Sequence, residues 1–231
     1  MRFKFPGSGA DQHMSKRKLI KKGAEASLYL EEWHGRKVIA KRRHPKKYRI
    51  PQLDNAIRSQ RTRHEPLVIH KAKEAGVPTP LIYMVDLSNA TIIMEFVEGR
   101  TVKEILEDLP EEKRRKIFFT IGEYIGRLHK AGIIHGDLTT SNMILTSSGK
   151  IVFVDFGLSE FSVELERRGV DLHLMKRALL STHHKYADDC FRIIMKGYES
   201  IMGSKITGEV KQKIKEIEMR GRYVSERKVR V

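Results

Sequence analysis

One short hairpin, with chemically active residues at both of its open ends, constrains this chain more than any other feature. His135-Gly136-Asp137-Leu138-Thr139-Thr140-Ser141-Asn142 leads into an apolar strand, Met143 to Leu145. A Ser147-Ser148-Gly149 turn returns the chain through Lys150 to Val154, and Asp155-Phe156-Gly157 follows, thirteen residues after Asn142. Folding the hairpin brings its two open ends together. Asn142 and Asp155 can then offer hard oxygen ligands to magnesium, which takes carboxylates, waters and phosphates. Asp137 would stand near an attacking hydroxyl, orienting it or accepting its proton. Singly these residues say little: Asp-Phe-Gly after a strand is usually a turn, Asp137 could be a turn residue, and Asn142 a cap.

The joint spacing is what speaks. His-x-Asp-Leu-x-x-x-x-Asn, then a strand and Asp-Phe-Gly, is close to the protein-kinase signature. The upstream half should then hold a lysine on a strand and a glutamate on a helix. Val38-Ile39-Ala40-Lys41 ends a predicted strand, where Lys41 would grip nucleotide phosphates as a compact charge; the plain alternative is one more solvated lysine in a basic run. Glu65 is its candidate partner, on a helix predicted from about Asn55 to Ala75, with Glu74 among the other glutamates there. Pro66 follows Glu65, disfavours helical geometry there and removes a backbone donor, so the helix is expected to kink or restart. Met94-Glu95-Phe96-Val97-Glu98-Gly99 joins the halves, where a kinase hinge would offer the backbone of Glu95 and Val97 to adenine. The phosphate loop departs from Gly-x-Gly-x-x-Gly: Lys22-Gly23-Ala24-Glu25-Ala26-Ser27 has a single glycine, so fewer backbone shapes are open to it.

The rest of the chain is compatible with this. Short strands are predicted at Ala26–Leu30, Lys37–Lys41, Leu81–Asp86 and Thr91–Phe96, and an amphipathic helix at Glu111–Lys130 with Ile117, Phe118, Ile121, Ile125 and Leu128 on one face. From Val170 the pattern is helical. Apolar runs are too short to span a membrane, no secretory leader is visible, and no internal repeat stands out. The lone cysteine, Cys190, cannot form an internal disulfide or a cysteine zinc site, which suits a reducing cytosol. The formal net charge of +16 favours encounter with polyanions, whether nucleotide, RNA or an acidic partner; a solvated basic surface would give the same count.

Residues 15–231 resemble the PRPK-type atypical Ser/Thr kinase of the KEOPS (EKC) complex. The resemblance is carried by Lys-Gly-Ala-Glu-Ala (22–26), Lys41 through Tyr48-Arg49-Ile50-Pro51-Gln52-Leu53-Asp54, Arg61-Thr62-Arg63-His64-Glu65, and Gly76-Val77-Pro78-Thr79-Pro80. Further on it is carried by the 135–142 and 155–159 stretches, Val170-Asp171-Leu172 and Ser181-Thr182-His183. RIO kinases compete, but Asp155-Phe156-Gly157 fits them less well. The resemblance implies an α+β, two-lobed protein-kinase-like fold, with a small β-rich first lobe, a mainly helical second lobe and no long activation segment. It implies ATP and Mg2+, with Gly23, Ala24, Glu25, Lys41, Glu65, Glu95 and Val97 at the nucleotide, Asn142 and Asp155 at the metal, and Asp137 and Lys41 catalytic. It implies a cytoplasmic role in making threonylcarbamoyladenosine on transfer RNA, with no membrane partner. The helical lobe would dock on the ATPase-like transferase subunit, the small lobe on another small KEOPS subunit, and the basic tail on tRNA. The boundaries read as 1–13, a leader or tag; 14–98, the first lobe; 99–215, the second; and 216–231, a flexible basic tail. Gly136 stands where most kinases carry arginine, Thr139 where many carry lysine, and no Ala-Pro-Glu follows Gly157. A docking platform for peptides is thus missing, and slow transfer to general protein substrates is expected. A free-standing Ser/Thr kinase and a nucleotide-binding scaffold without catalysis stay open as alternatives.

Overall fold

The computed structural model describes residues 17–229, with 221–229 as helical backbone only; the expected leader at 1–13 lies outside the described residues. The chain divides into two compact units: one holds the residues up to Pro66 together with Leu81–Phe96, the other Leu67–Pro80 and everything from Val97 on.

The first unit is a five-stranded antiparallel sheet in the order β1-β2-β3-β5-β4. Its strands are β1 (Lys18–Lys22), β2 (Ala26–Trp33), β3 (Arg36–Arg43), β4 (Ile82–Asp86) and β5 (Thr91–Glu95). β2 and β3 are longer than the sequence suggests because their connection is a tight two-residue turn. His34 and Gly35 both take positive φ, 49° and 73°, and Trp33 pairs directly with Arg36. Central β3 buries Val38 and Ala40 on one face and the two cations Lys41 and Arg43 on the other.

Helix α1 runs Pro51–Glu74. It begins earlier than expected because proline is suited to the first helical turn. Pro66 neither ends nor restarts it. Beyond Pro66 the helix buries Val68, Ile69 and Ala72 completely or nearly so, and that burial outweighs the missing amide.

In the second unit, a three-stranded sheet in the order β6-β8-β9 uses β6 (Arg100–Thr101), β8 (Met143–Leu145) and β9 (Ile151–Phe153). Strands β7 (Ile133–Ile134) and β10 (Glu160–Phe161) pair separately. The short helix α2 (Val102–Ile105) opens with a capping box between Thr101 and Glu104. Helices α3 (Glu111–Lys130), α4 (Leu165–Thr182), α5 (Ala187–Met202) and α6 (Ser204–Val229) make up the bulk. All five apolar positions predicted on α3 are buried. α3 and α5 approach closely: a Cβ at Gly122 would strike the Ile194 carbonyl, and one at Gly197 the Phe119 carbonyl.

Two boundaries move. Residues 67–80, assigned by sequence to the first lobe, belong to the second unit. Gly76 carbonyl accepts from Arg127 Nη1 at 2.9 Å, and Pro78 carbonyl from the Phe153 amide at 2.8 Å. The basic tail expected to be flexible from 216 is helical as far as Val229. α6 is anchored by buried Thr207, Val210 and Ile214, and Lys176 Nζ donates to Glu218 Oε1 at 2.8 Å. Among the described residues, no helix is long and apolar enough to cross a membrane.

Candidate active site

In the sheet unit, Lys41 lies near the end of β3, where the strand pattern put it. Its Nζ donates to Glu65 Oε1 at 2.7 Å, and lysine and glutamate are 6% and 1% exposed. Of the glutamates on α1, Glu65 is therefore the one that meets Lys41. Glu65 Oε2 accepts a second bond, from Arg43 Nη2. A pair so removed from water is screened little by salt.

The phosphate-loop residues are held by charge rather than by glycine. Gly23 N–H donates to the Ala26 carbonyl at 2.9 Å, closing the turn. Lys46 Nζ donates to the Ala24 carbonyl. Glu25 is bridged by Arg61 of α1 and approached by Arg49 at 4.0 Å. Glu95 ends β5, and its amide donates to the Leu81 carbonyl at 2.8 Å while its Oε2 accepts from the Leu81 amide at 2.9 Å. Its N–H is thus spent on Leu81, and the carbonyl is the part of that peptide not engaged there. Val97 is half-buried where the second unit resumes.

In the helical unit, Asn142 closes a 3-10 turn, Thr140–Asn142, directly before β8. Its Nδ2 donates to Asp137 Oδ2 at 2.8 Å and to the Asp137 carbonyl at 3.0 Å. The Asn142 carbonyl accepts from Val154 N–H at 2.9 Å, which ties the residue before Asp155 to the same loop. Asp155 itself takes φ +63°, a left-handed conformation that few residues with a side chain adopt and that is found disproportionately at functional sites. The hairpin therefore does bring Asp137, Asn142 and Asp155 together. The Asn142 nitrogen makes both bonds to Asp137, and its amide oxygen with the Asp155 carboxylate is the kind of donor pair magnesium accepts. Among the described residues no cluster of three or more His, Cys, Asp or Glu could hold a metal ion.

These loop positions rest on a buried platform. Asp171, on α4, is fully buried and accepts the His135 and Gly136 amides at 2.9 Å each, while His129 Nε2 lies 3.2 Å from its Oδ2. Burial alone would raise the Asp171 pKa; the hydrogen bond and charge of His129, and then His135, hold it below the ordinary value. Burial pushes His135 down, against the carboxylates of Asp171, Asp155 and Asp137. Gly136 has φ +79° and faces the Leu158 carbonyl where a Cβ would collide, so the arginine of ordinary kinases has no room here.

Comparison with known proteins agrees with this geometry. Residues 19–216 match the protein kinase domain. The chain is 50% identical over 212 residues to the KEOPS complex subunit Bud32 of Pyrococcus abyssi, covering 89% of this chain and 96% of that protein. The chain belongs to the Bud32 family. The Dictyostelium discoideum EKC/KEOPS complex subunit bud32 is 41% identical over 211 residues, covering 88% of this chain and 82% of its own length. A longer relative, the probable bifunctional tRNA threonylcarbamoyladenosine biosynthesis protein of Methanothermobacter thermautotrophicus, is 47% identical over 205 residues; the match covers 89% of this chain and 36% of that one. The kinase domain of this Bud32-family chain is of the class that transfers phosphoryl groups.

Three contributors escape a residue-level reading of this Bud32-family sequence. Arg43 sits in a basic run, and only its alternation with Lys41 on β3 could single it out. Asp171 and His183 stand in stretches that carry the family resemblance, with nothing local to give them a role. His183 is buried, with Nε2 3.4 Å from Thr140 Oγ1. Cys190 is buried and its thiol is pushed up to about 12, as an inert core residue should be.

Proposed function

We propose that this chain is an atypical Ser/Thr kinase and ATPase, working in the cytoplasm as the ATP-hydrolysing subunit of a KEOPS complex that makes threonylcarbamoyladenosine on transfer RNA. The observation that carries the chemistry is the tie of Asn142 Nδ2 to Asp137 Oδ2 at 2.8 Å in the loop that also holds Val154, next to Asp155. The role in the complex is supported by similarity over almost the whole length of a KEOPS subunit.

ATP, when bound, supplies the transferable γ-phosphoryl group, and Mg2+ neutralises its oxygens. Lys41, oriented by Glu65, holds the phosphates, with Gly23, Ala24 and Glu25 forming the turn beside them. Glu95 and Val97 offer backbone to the adenine. Asn142 and Asp155 hold the metal. Asp137 orients the attacking oxygen, of water or of a Ser/Thr, and takes its proton. In the complex the helical part would dock on the transferase subunit, the β-rich part on a small subunit, and basic residues on tRNA.

The seven residues Leu158 to Glu164 separate Gly157 from α4, and two of them are strand β10. That leaves no platform for a peptide and argues against a free-standing protein kinase. The test is turnover of radiolabelled ATP with and without KEOPS partners and tRNA, for the native chain and for Asp137→Ala. Loss of a positioned base should cost about a hundredfold to ten-thousandfold. Equal modification of tRNA by both proteins would make the chain a scaffold instead.

A further inference from the structure

The helical unit holds a buried run of polar groups that ends at the loop carrying Asp137. Gly122, Gly126 and His129 lie on one face of α3, four and then three residues apart. The two glycines let α5 come close. A Cβ at Gly122 would stand 2.9 Å from the Tyr198 amide nitrogen, and one at Gly126 3.3 Å from the Tyr198 carbonyl oxygen. That approach sets the Tyr198 ring edge-on to the His129 ring, with centroids 5.5 Å apart. The Tyr198 hydroxyl lies 3.0 Å from His129 Nδ1, and across the ring Nε2 lies 3.2 Å from Asp171 Oδ2. Asp171 in turn accepts the His135 amide on Oδ2 and the Gly136 amide on Oδ1, at 2.9 Å each. Tyr198, His129 and Asp171 are all fully buried. The protons along this run follow from the chemistry of its ends. Asp171 is held below its ordinary pKa, and an ionised carboxylate only accepts, so His129 Nε2 carries a hydrogen toward it. A neutral ring then leaves a lone pair on Nδ1, which calls for a donor. Burial pushes the Tyr198 hydroxyl up from its ordinary value, so it keeps its proton and donates.

We propose that Tyr198 is a positioning residue for the reaction: its hydroxyl donates to His129 Nδ1, fixes the ring as the Nε2–H tautomer, and through Asp171 sets the His135 and Gly136 backbone that aims Asp137. The inference rests on the reading of Asp137 as the group that orients the attacking oxygen. Without the hydroxyl, the Nδ1 lone pair is buried with no donor. Moving the ring proton to Nδ1 relieves that, but it turns the Nε2 lone pair on Asp171. The carboxylate is displaced, and the two loop amides it holds move with it. A hydroxyl on α5, 61 residues beyond Asp137 in sequence, thus acts on the chemistry through one ring and one carboxylate.

The experiment uses the full chain, alone and in the assembled complex. Heteronuclear NMR of the histidine rings reports which nitrogen of His129 is protonated at neutral pH. The native ring should carry hydrogen on Nε2 alone, and the Tyr198→Phe ring should carry it on Nδ1. In the complex, Tyr198→Phe should lower kcat for ATP on the order of tenfold. KM, and the affinity of the chain for a non-hydrolysable ATP analogue with Mg2+, should stay native. His129→Leu should lower kcat at least as far, and adding Tyr198→Phe to it should cost nothing more. A packing role alone would lower the melting temperature of Tyr198→Phe and move neither the ring proton nor kcat. Hydrogen on Nδ1 in the native chain, an unmoved ring proton or native kcat in Tyr198→Phe, or costs that add in the double variant overturn the proposal. If His129→Leu does not fold, the spectra and the single Tyr198 variant decide. If Tyr198→Phe does not fold, the native spectrum decides: hydrogen on Nε2 alone supports the proposal, and hydrogen on Nδ1 overturns it. A native complex no faster than Asp137→Ala overturns the catalytic reading and this inference with it. Failure of the Tyr198 series where Asp137→Ala is slow overturns this inference only.

Discussion

His135 is fully buried, and the Asp137 amide donates to its Nδ1 at 3.3 Å. The ring accepts there, so a proton arriving at Nδ1 would displace the bond that helps to place Asp137. Burial lowers the His135 pKa below the unfolded value of about 6.5. Stability from keeping the ring neutral is therefore fully present above about pH 6.5 and is lost as pH falls through the folded pKa. His173 and His183 are shifted the same way, mainly by burial, so the whole acid slope is not the readout. Instead, His135→Asn, whose amide oxygen can accept from Asp137, should show a shallower loss of urea midpoint between pH 7 and 5 than the native chain. Parallel curves would refute this account of the ring. Asp171, with a lowered pKa, loses its contribution only below about pH 3.8, which keeps the two windows apart.

Helices α3 and α5 meet backbone to backbone at Gly122 and Gly197. Gly197→Ala puts a methyl against the Phe119 carbonyl, where no flexible side chain can give way. Overpacking of this kind costs about 1–3 kcal/mol or more, and it should appear as a lower urea midpoint with the slope unchanged. The elements differ in how openly the sequence announces them. α3 was legible to the residue because its apolar positions repeat at helical spacing and all of them are buried. β1 was not: all five residues of Lys18–Lys22 are exposed on a sheet edge, and no alternation marks them. β7 and β10 are two residues each, too short for any pattern, and exist through their pairing with one another. The same division runs through the site. Asp137, Asn142 and Asp155 were legible because one local hairpin gathers them. Arg43 and the His129–Asp171 support were not, because their partners lie 22 and 42 residues away in sequence and only the folded chain brings them together. Pro66 misled for a related reason: local preference argued for a break, and burial of Val68 and Ala72 overrode it.

Taken whole, the molecule carries a formal charge of +16, and part of it lies past the last described side chain. Residues 221–231 hold Arg222, Arg227, Lys228 and Arg230 against Glu226. Among the described side chains, those that dock α6 include Val210, Ile214 and Glu218. Removing 221–231 should leave the melting temperature within a degree or two of native on the scale of surface changes. If the tail binds tRNA, the same cut should weaken binding and flatten its salt dependence, by roughly 0.7–0.9 in log–log slope for each phosphate no longer neutralised. Unchanged affinity and slope would remove tRNA binding from this segment. The short path after Asp155 has its own bearing on control. Glu160 and Phe161 are laddered onto Ile134 and Ile133, immediately before the loop that carries Asp137. Where other kinases keep a long strap to be pinned or released, this chain has woven the corresponding residues into its own fabric. The segment after Asp155 is thereby committed to the fold.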